Sequence, residues 1–330
     1  MNTLVIGATG FIGGHIARAA LVRGWHVRAL RRRPNAVGAI GDVADQVEWI
    51  QGELPFQTSE AYQNLAGLRQ AMHGCDVVFH AAAAYPRAAY DIAGWVRSSV
   101  TQMRAVLQVA REESVGRFVY TSTLTTIGPP SEPGRLADER DFYAPGSARS
   151  AYYEAKYAME MEAFRVAVEG LPIVILNPAA VFGPGDVKPT TSEVLLRVAK
   201  RQIPFHFEAT INAVDGRDVA AAHIAAAERG RVGQRYIVGG HNLTLKDMLT
   251  ISANAAGVTP PRWEISRQMV EALVGVSAWL RLPVPDLVKA LRLMQPLNCD
   301  KAQRELDVHP RPFEETAHDT IAWFRERHYL

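Results

Sequence analysis

The first apolar run of the chain, residues 3–6, leads directly into a glycine-rich turn. Gly7, Gly10 and Gly13 lie in this turn, and a helical pattern begins at Phe11. Glycines let backbone N–H groups approach a phosphate closely, and the N-terminus of the helix adds its positive end. The turn therefore predicts a site for a dinucleotide pyrophosphate. The alternative is a tight strand-to-helix turn that binds no ligand.

Short apolar runs alternate with helical patterns through the first half of the chain. The predicted strands cover residues 3–6, 26–30, 47–50, 77–80, 118–121 and 173–176, and the predicted helices cover residues 11–23, 95–112 and 152–168. This alternation favours an α/β fold with a Rossmann-type, doubly wound parallel sheet.

The pattern changes after Pro178, where turns that contain proline and glycine interrupt the alternation. We expect residues 1–177 to form a dinucleotide-binding Rossmann domain. Residues 178–330 are expected to form mainly a smaller, mostly helical substrate-binding lobe. Residues 234–238 resemble one more strand, which predicts that the chain returns to the sheet before its last helices.

Charge is balanced, with 36 Lys and Arg against 34 Asp and Glu. This balance favours a small-molecule partner over nucleic acid or a membrane surface. Cys75 and Cys299 are the only cysteines, so neither a disulfide framework nor a metal site is predicted. We expect a cytoplasmic protein, because the chain shows no secretory leader pattern. Charged residues and prolines interrupt the apolar stretch 269–297, so no transmembrane segment is expected.

Three arginines, Arg31, Arg32 and Arg33, follow the second predicted strand. Folds that select NAD usually place an acidic residue here, against the ribose hydroxyls. A guanidinium would instead form bidentate bonds to a 2′-phosphate. The sequence therefore predicts NADP(H) over NAD(H), and the alternative is a solvated basic turn.

Tyr152 and Lys156 lie one helical turn apart in the predicted helix and share a face. An ammonium next to a phenol stabilises the phenolate, so the tyrosine can exchange a proton with a carbonyl or carbinol. The preceding strand ends in three hydroxyl side chains, Thr121, Ser122 and Thr123. One of them could hold the reacting oxygen, although such residues also suit strand ends for structural reasons.

Together these motifs resemble the extended short-chain dehydrogenase/reductases, also called the NAD-dependent epimerase/dehydratase family. Residues 76–83, 177–178, 183–185 and 218–220 follow the same family order. Within the family the chain is most similar to the dihydroflavonol 4-reductase-like branch. Residues 183–190 and 228–236 place it nearest the hopanoid-associated sugar epimerase group.

The resemblance implies that Tyr152 donates or accepts the proton, that Lys156 holds the nicotinamide ribose and lowers the pKa of the tyrosine, and that Thr123 replaces the usual serine. Arg32 falls where this branch binds a 2′-phosphate. The family also suggests a homodimer. The expected cofactor contacts are Gly7, Thr9, Gly10, Phe11, Ile12, Gly13, Arg31, Arg32, Glu53, Leu54, Ala81, Ala82, Ala83, Thr121, Ser122, Tyr152, Lys156, Asn177, Pro178, Ala180 and Val181.

Two positions depart from the family pattern besides Thr123. Glu53 replaces the aspartate of a Gly-Asp-Leu motif, and Ser99 replaces an asparagine that contacts the cofactor or relays protons. His80 is expected to pack beside the dinucleotide rather than to react. Tyr85 and Arg87 follow the fourth strand, where they either contact substrate or belong to a plain surface loop.

The predicted activity is NADP(H)-dependent reduction of a ketone or aldehyde of a small organic substrate. One alternative is a nucleotide-sugar epimerase or dehydratase that retains its cofactor. Arg197, Lys200 and Arg201 would then bind the substrate pyrophosphate, unless they form a solvated helix face. A second alternative is a Rossmann protein that binds the cofactor without catalysis.

Overall fold

The computed structural model describes residues 1–54, 65–82, 91–266, 268–270, 272 and 294–330. Several sequence predictions lie outside these residues. They are the cofactor contact Ala83, the substrate contacts Tyr85 and Arg87, and most of the apolar stretch 269–297.

The strands are short and lie at the positions that the apolar runs predict in the first half of the chain. They are β1 (Asn2–Ile6), β2 (His26–Arg31), β3 (Glu48–Gln51), β4 (Val77–His80), β5 (Arg117–Thr121), β6 (Ile173–Pro178), β7 (Ala180–Phe182), β8 (Phe205–Phe207), β9 (Thr210–Asp215), β10 (Arg235–Val238), β11 (His241–Thr244) and β12 (Trp263–Ile265).

Within the described residues, seven strands form a parallel central sheet in the order β10-β6-β5-β4-β1-β2-β3. Ile6 at the end of β1 pairs with Leu30 of β2 and with His80 of β4. The order of the strands reverses at β1, and ligands of such sheets bind at the carboxyl ends next to this reversal. The glycine-rich turn and the segment after β4 meet there.

Helices cover both faces of the sheet. They are α1 (Phe11–Val22), α2 (Ala66–Met72), α3 (Ile92–Glu112), α4 (Ala151–Val168), α5 (Glu193–Ala199), α6 (Gly216–Arg229), α7 (Leu245–Ala256), α8 (Asp300–Leu306) and α9 (Phe313–Glu326). One apolar core lies between the sheet and α1 with α6, and a second lies between the sheet and α2, α3 and α4. This arrangement confirms the predicted Rossmann-type α/β fold.

A third apolar core belongs to the C-terminal lobe, where α5, α7 and α9 pack around a small sheet. The rings of Phe182 and Phe313 meet edge to face there, with their centroids 5.3 Å apart. The lobe contains β7, β9 and β11 in one sheet and β8 with β12 in another. Sequence patterns missed these strands because three of them have only three residues, and polar side chains interrupt Thr210–Asp215 and His241–Thr244.

Ion pairs join the lobe to the helix α6 beneath the sheet. Asp215 caps α6 by accepting the backbone N–H of Arg217 at 2.7 Å, and the Arg217 guanidinium bonds Asp319 of α9 at 2.7 Å. Asp218 accepts from the side chain of Arg311 at 2.9 and 3.0 Å. These side chains therefore hold the two parts of the chain together.

Candidate active site

The glycine-rich turn packs against the end of β4 at a distance that excludes side chains. A Cβ atom on Gly7 would lie 2.8 Å from the backbone nitrogen of Ala82, and the φ angle of Gly7 is +97°. A Cβ on Gly13 would lie 2.2 Å from the Gly7 carbonyl oxygen. Only glycine fits both positions.

The helix α1 begins at this turn with its first backbone donors unoccupied by protein side chains. Gly10 is the N-cap, and in the described part of the chain no side chain caps the helix and no acidic residue occupies its first turn. Such an N-terminus attracts an anion, because the free N–H groups and the helix dipole point outward. Side chains are excluded at Gly7 and Gly13, so the turn fits a dinucleotide pyrophosphate.

Two guanidinium groups lie at the end of β2, next to this turn. Arg31 lies over the Trp49 ring, 4.9 Å from its centroid. Arg32 is 67% exposed and forms a long ion pair of 3.4 Å with Glu53, which is 61% exposed. An exposed pair of this length contributes little stability, so Arg32 remains available to a stronger anion.

Lys156 is the buried cation of the site. Its ammonium donates to the Thr121 carbonyl oxygen at 3.2 Å and lies 5.5 Å from the centre of the Tyr120 ring. Burial lowers the pKa of Lys156 to about 8, and the nearby Glu160 carboxylate opposes this change. Tyr152 lies one turn earlier on the same helix and is half-buried. A phenol and an ammonium thus share one face of α4 at the end of β5.

The three hydroxyls at the end of β5 have different partners. Thr121 Oγ1 lies 2.8 Å from Nε2 of His223, whose Nδ1 lies 2.8 Å from the Val219 carbonyl oxygen. Burial lowers the pKa of His223 to about 4, so the ring is neutral. Its one proton lies on Nδ1, because the Val219 carbonyl can only accept. Thr121 is therefore the donor to Nε2.

Ser122 donates its hydroxyl to the buried carboxylate of Glu160. Thr123 is half-exposed, and its Oγ1 accepts the Thr125 backbone N–H at 3.4 Å. Of the three hydroxyls, Thr123 alone shows no protein acceptor among the residues that the structure describes. The contact of Thr123 with the reacting oxygen remains a prediction.

Glu160 is a site residue that the sequence reasoning missed. Its Oε2 accepts from Asn177 and from Thr126, each at 2.7 Å, and its Oε1 accepts from Arg235 at 2.7 Å. Its position four residues after Lys156, on the same face of the predicted helix, is the one sequence feature that could have indicated a role in the site. Its partner Arg235 lies on β10, and nothing in the local pattern connects the two. Asn177, a predicted cofactor contact, thus has its amide nitrogen bonded inside the protein.

Comparison with known proteins identifies the family. Residues 3–239 match the sequence profile of the NAD dependent epimerase/dehydratase family. The chain belongs to this family. It is therefore an enzyme of the extended short-chain dehydrogenase/reductase type that uses a nicotinamide dinucleotide.

Similar proteins carry the names of a reductase, a sterol demethylase protein and an epimerase. A protein of Synechocystis sp., named a putative dihydroflavonol 4-reductase, is 32% identical over 99% of this chain and 95% of its own. Sterol demethylase protein B of Methylococcus capsulatus is 29% identical over 99% of both chains. The crystal structure of a nucleoside-diphosphate-sugar epimerase from Pseudomonas aeruginosa is 27% identical, with a TM-score of 0.83 over 100% of this chain and 99% of its own.

Other predicted contacts of this epimerase/dehydratase family member lie around the same sheet edge. Ala81 and Ala82 border Gly7, Pro178 ends β6, and Ala180 and Val181 are buried in β7. Their contacts with the cofactor remain predictions. Thr9 accepts the Ala39 backbone N–H at 3.1 Å through its carbonyl oxygen, which holds the segment after the arginines against the glycine-rich turn.

His80 is fully buried at the end of β4, with its ring centroid 5.8 Å from that of Tyr120. Burial and the nearby Lys156 lower the pKa of His80 to about 3, so the ring is neutral. Its packing beside the dinucleotide remains a prediction. Ser99, in place of the family's asparagine, is buried on α3. Its role toward the cofactor remains a prediction.

No cluster of three or more potential metal ligands occurs in the described portion of the chain. Over the same residues, every helix is too short or too polar to cross a membrane.

We predict that Gly13→Ala weakens dinucleotide binding on the order of 10- to 100-fold, because the new methyl group pushes α1 away from the Gly7 carbonyl. Calorimetric titration with NADP⁺ measures the affinity. Gly41→Ala is the matched control, since its Cβ would meet only the Val37 side chain, at 3.4 Å. Equal affinity in Gly13→Ala and the parent would show that the turn does not bind the pyrophosphate.

The buried lysine predicts a pH dependence of stability. Lys156 has a folded-state pKa of about 8 against an ordinary value of 10.5, so the unfolded chain binds more protons between these pH values. The free energy of unfolding of the parent should therefore rise with pH in this window relative to Lys156→Met, by up to about 3 kcal/mol.

Urea unfolding at several pH values measures this difference. Lys246→Met, at an exposed lysine, controls for the loss of a lysine as such. A difference between parent and Lys156→Met that stays constant from pH 7.5 to 10.5 would contradict the assignment.

Proposed function

We propose that this protein is an NADP(H)-dependent reductase of a ketone or aldehyde group on a small organic substrate. The observation that carries the choice of cofactor is the pair of guanidinium groups of Arg31 and Arg32 at the end of β2. Their charge suits a 2′-phosphate, whereas ribose hydroxyls require an acceptor. Glu53 forms only a long, exposed ion pair with Arg32, so a bound phosphate could replace Glu53 as the partner of this guanidinium. The reductase name of the Synechocystis relative supports the direction of the reaction.

In the proposed reaction a bound nicotinamide supplies the hydride to the carbonyl carbon. Tyr152 gives its phenolic proton to the carbonyl oxygen, which becomes the hydroxyl of the product. The ammonium of Lys156 stabilises the phenolate that remains until the tyrosine regains a proton from solvent. Thr123 donates a hydrogen bond to the oxygen as negative charge develops on it.

The names of two relatives support a proposal for the substrate class. Dihydroflavonol and sterol, the compounds in the names of two relatives, are ring compounds with extensive apolar surface. We infer a substrate of mixed or apolar character that approaches the carboxyl edge of the sheet from the side of the lobe.

One alternative function has an observation in its favour. Arg201, Arg262 and Trp263 line a cleft in the lobe next to the β8–β12 pair, and two arginines beside an aromatic ring suit a nucleoside diphosphate. Arg262 was not among the cations that the sequence suggested for this role. Of the other two suggested cations, Arg197 bonds Glu193 at 2.7 and 2.9 Å, and Lys200 is the C-cap of α5. The alternative is therefore a nucleotide-sugar epimerase that keeps its cofactor, in line with the epimerase neighbour of known structure.

We predict that Tyr152→Phe lowers kcat for carbonyl reduction by at least about 1,000-fold, because only the proton donor is lost. The affinity for NADPH should change by less than about threefold. NADPH oxidation against a panel of ketones and aldehydes measures turnover, and calorimetry measures affinity. Tyr153→Phe, at the adjacent tyrosine, is the control. Turnover within a few-fold of the parent would exclude Tyr152 from the reaction.

The same panel separates the two functions when it is combined with mass spectrometry of nucleotide that copurifies with the protein. A reductase must release oxidised cofactor in every cycle. Tightly held nucleotide with no NADPH consumption on any carbonyl would favour the epimerase.

We predict that the double variant Arg31→Asp with Arg32→Asn erases or reverses the preference for NADP(H). One charge-assisted bond to the 2′-phosphate accounts for about 10- to 100-fold in affinity. Calorimetry with NADP⁺ and NAD⁺ measures the ratio, and Arg33→Asn, at the next exposed arginine, is the matched control. If the parent binds both dinucleotides equally, the arginines form a solvated turn.

A further inference from the structure

A buried ion pair includes a residue of the helix that carries the proposed reaction centre. The Glu160 and Arg235 side chains are 0% and 3% exposed, and Nη1 of Arg235 lies 2.7 Å from Oε1 of Glu160. Glu160 comes from α4, the helix that carries Tyr152 and Lys156. Arg235 comes from β10, which the chain reaches only after it has passed through part of the lobe.

The second oxygen of Glu160 binds the segment that carries Thr123. Ser122 and Thr126, which flank Thr123 in the sequence, both donate hydroxyl groups to Oε2. Asn177 donates its amide to the same oxygen at 2.7 Å and to the Thr123 carbonyl oxygen at 3.2 Å. The carboxylate thus contacts the Thr123 turn on both sides, and Asn177 contacts its backbone.

Arg235 contacts the end of the same turn and, more closely, the segment 139–142. Its guanidinium donates to the carbonyl oxygens of Glu139 and Asp141, each at 2.9 Å, and to that of Thr126 at 3.4 Å. It also lies over the Phe142 ring, 3.7 Å from the centroid. The rigid fork of arginine makes these contacts together, which a lysine could not do.

We infer that Glu160 is a positioning residue, which holds the Thr123 turn and the Tyr152–Lys156 helix in one fixed arrangement, and that Arg235 is the counter-ion this arrangement requires. The inference rests on the proposed function, because it assigns the two elements to one reaction. The contribution is geometric, since a buried ion pair adds little net stability over an apolar pair of similar volume.

The carboxylate also acts on the lysine through its charge. Lys156 faces His80 on β4, Tyr120 on β5, and Tyr152 and Glu160 on its own helix. Among these, Glu160 supplies the negative charge that opposes the lowering of the Lys156 pKa by burial. Arg235 neutralises part of that charge. Removal of either partner should therefore shift the pKa of Lys156, in opposite directions.

A double-mutant cycle of Glu160→Gln, Arg235→Met and their combination distinguishes a positioning role of Glu160 from a contribution to the stability of the fold. Each single variant leaves a buried polar or charged group without its partner, so its urea midpoint should fall. The combined variant removes both charges of this buried pair and should regain most of the midpoint. Its kcat should stay about 10- to 100-fold below that of the parent, because a neutral amide accepts hydrogen bonds from the Thr123 turn more weakly than the carboxylate does and the contacts of Arg235 are lost. Recovery of kcat together with stability would overturn the inference.

Ser122→Ala decides the question if the charge variants fail to fold. It removes one donor to Glu160 without changing any charge, and kcat should fall about 10-fold. Ser122 is also a predicted cofactor contact, so the NADPH affinity is measured alongside, and a loss of kcat without a loss of affinity assigns the effect to the position of the Thr123 turn. Ser252→Ala is the matched control, because it removes a buried hydroxyl that bonds the Met248 carbonyl oxygen in the lobe. Equal kcat values in Ser122→Ala and Ser252→Ala would contradict the positioning role.

A measurement that does not depend on turnover tests this inference separately from the proposed function. An NMR titration of the Lys156 side-chain nitrogen, assigned with Lys156→Met, should give a lower pKa in Glu160→Gln than in the parent and a higher one in Arg235→Met. Equal pKa values in all three proteins would contradict the charge effect of Glu160 on Lys156, whereas the kcat of the double variant decides its positioning role. If the parent instead reduces no carbonyl, the proposed function fails, while the titration still reports whether Glu160 acts on Lys156.

Discussion

The close approach of two backbone segments at Gly7 is the constraint on which the rest of the site depends. The turn after β1 touches the end of β4 so closely that a single methyl group would not fit. This contact brings together the carboxyl ends of strands from the two halves of the sheet. The N-terminus of α1, the arginines after β2 and the hydroxyls after β5 all face the same edge as a result.

The family fold accounts for the positions of these groups but not for the charge state of the reaction centre. A lysine that is buried as deeply as Lys156 would lose its proton more readily than one in water. The neutral His80 and His223 add no competing charge nearby. The electrostatics of the centre therefore depend mainly on burial and on one carboxylate, Glu160.

Features with a local signature were predictable from the sequence. The strands and helices around the first half of the sheet follow hydrophobic periodicity, and Tyr152 with Lys156 follows helical spacing, so both could be located by counting residues. The chain's membership of the epimerase/dehydratase family agrees with this interpretation. The partner of Glu160 was not predictable, because Arg235 is 75 residues away and only the parallel pairing of β10 with β6 brings it close. The strands of the lobe were missed because three of them have only three residues and polar side chains interrupt the other two.

The late position of β10 in the chain affects how the protein reaches its native state. During synthesis, α4 and the strands β1 to β6 emerge well before residue 235. Until β10 pairs with β6, Glu160 has no guanidinium partner, and a carboxylate cannot be buried cheaply alone. The sheet edge at β6 and the interior around Glu160 thus stay incomplete until a substantial part of the lobe has been made. A ribosome-bound fragment that ends before β10 would contain every proposed catalytic residue without the interior that orients them. Assembly of the reaction centre is thereby coupled to the arrival of a distant segment of the chain.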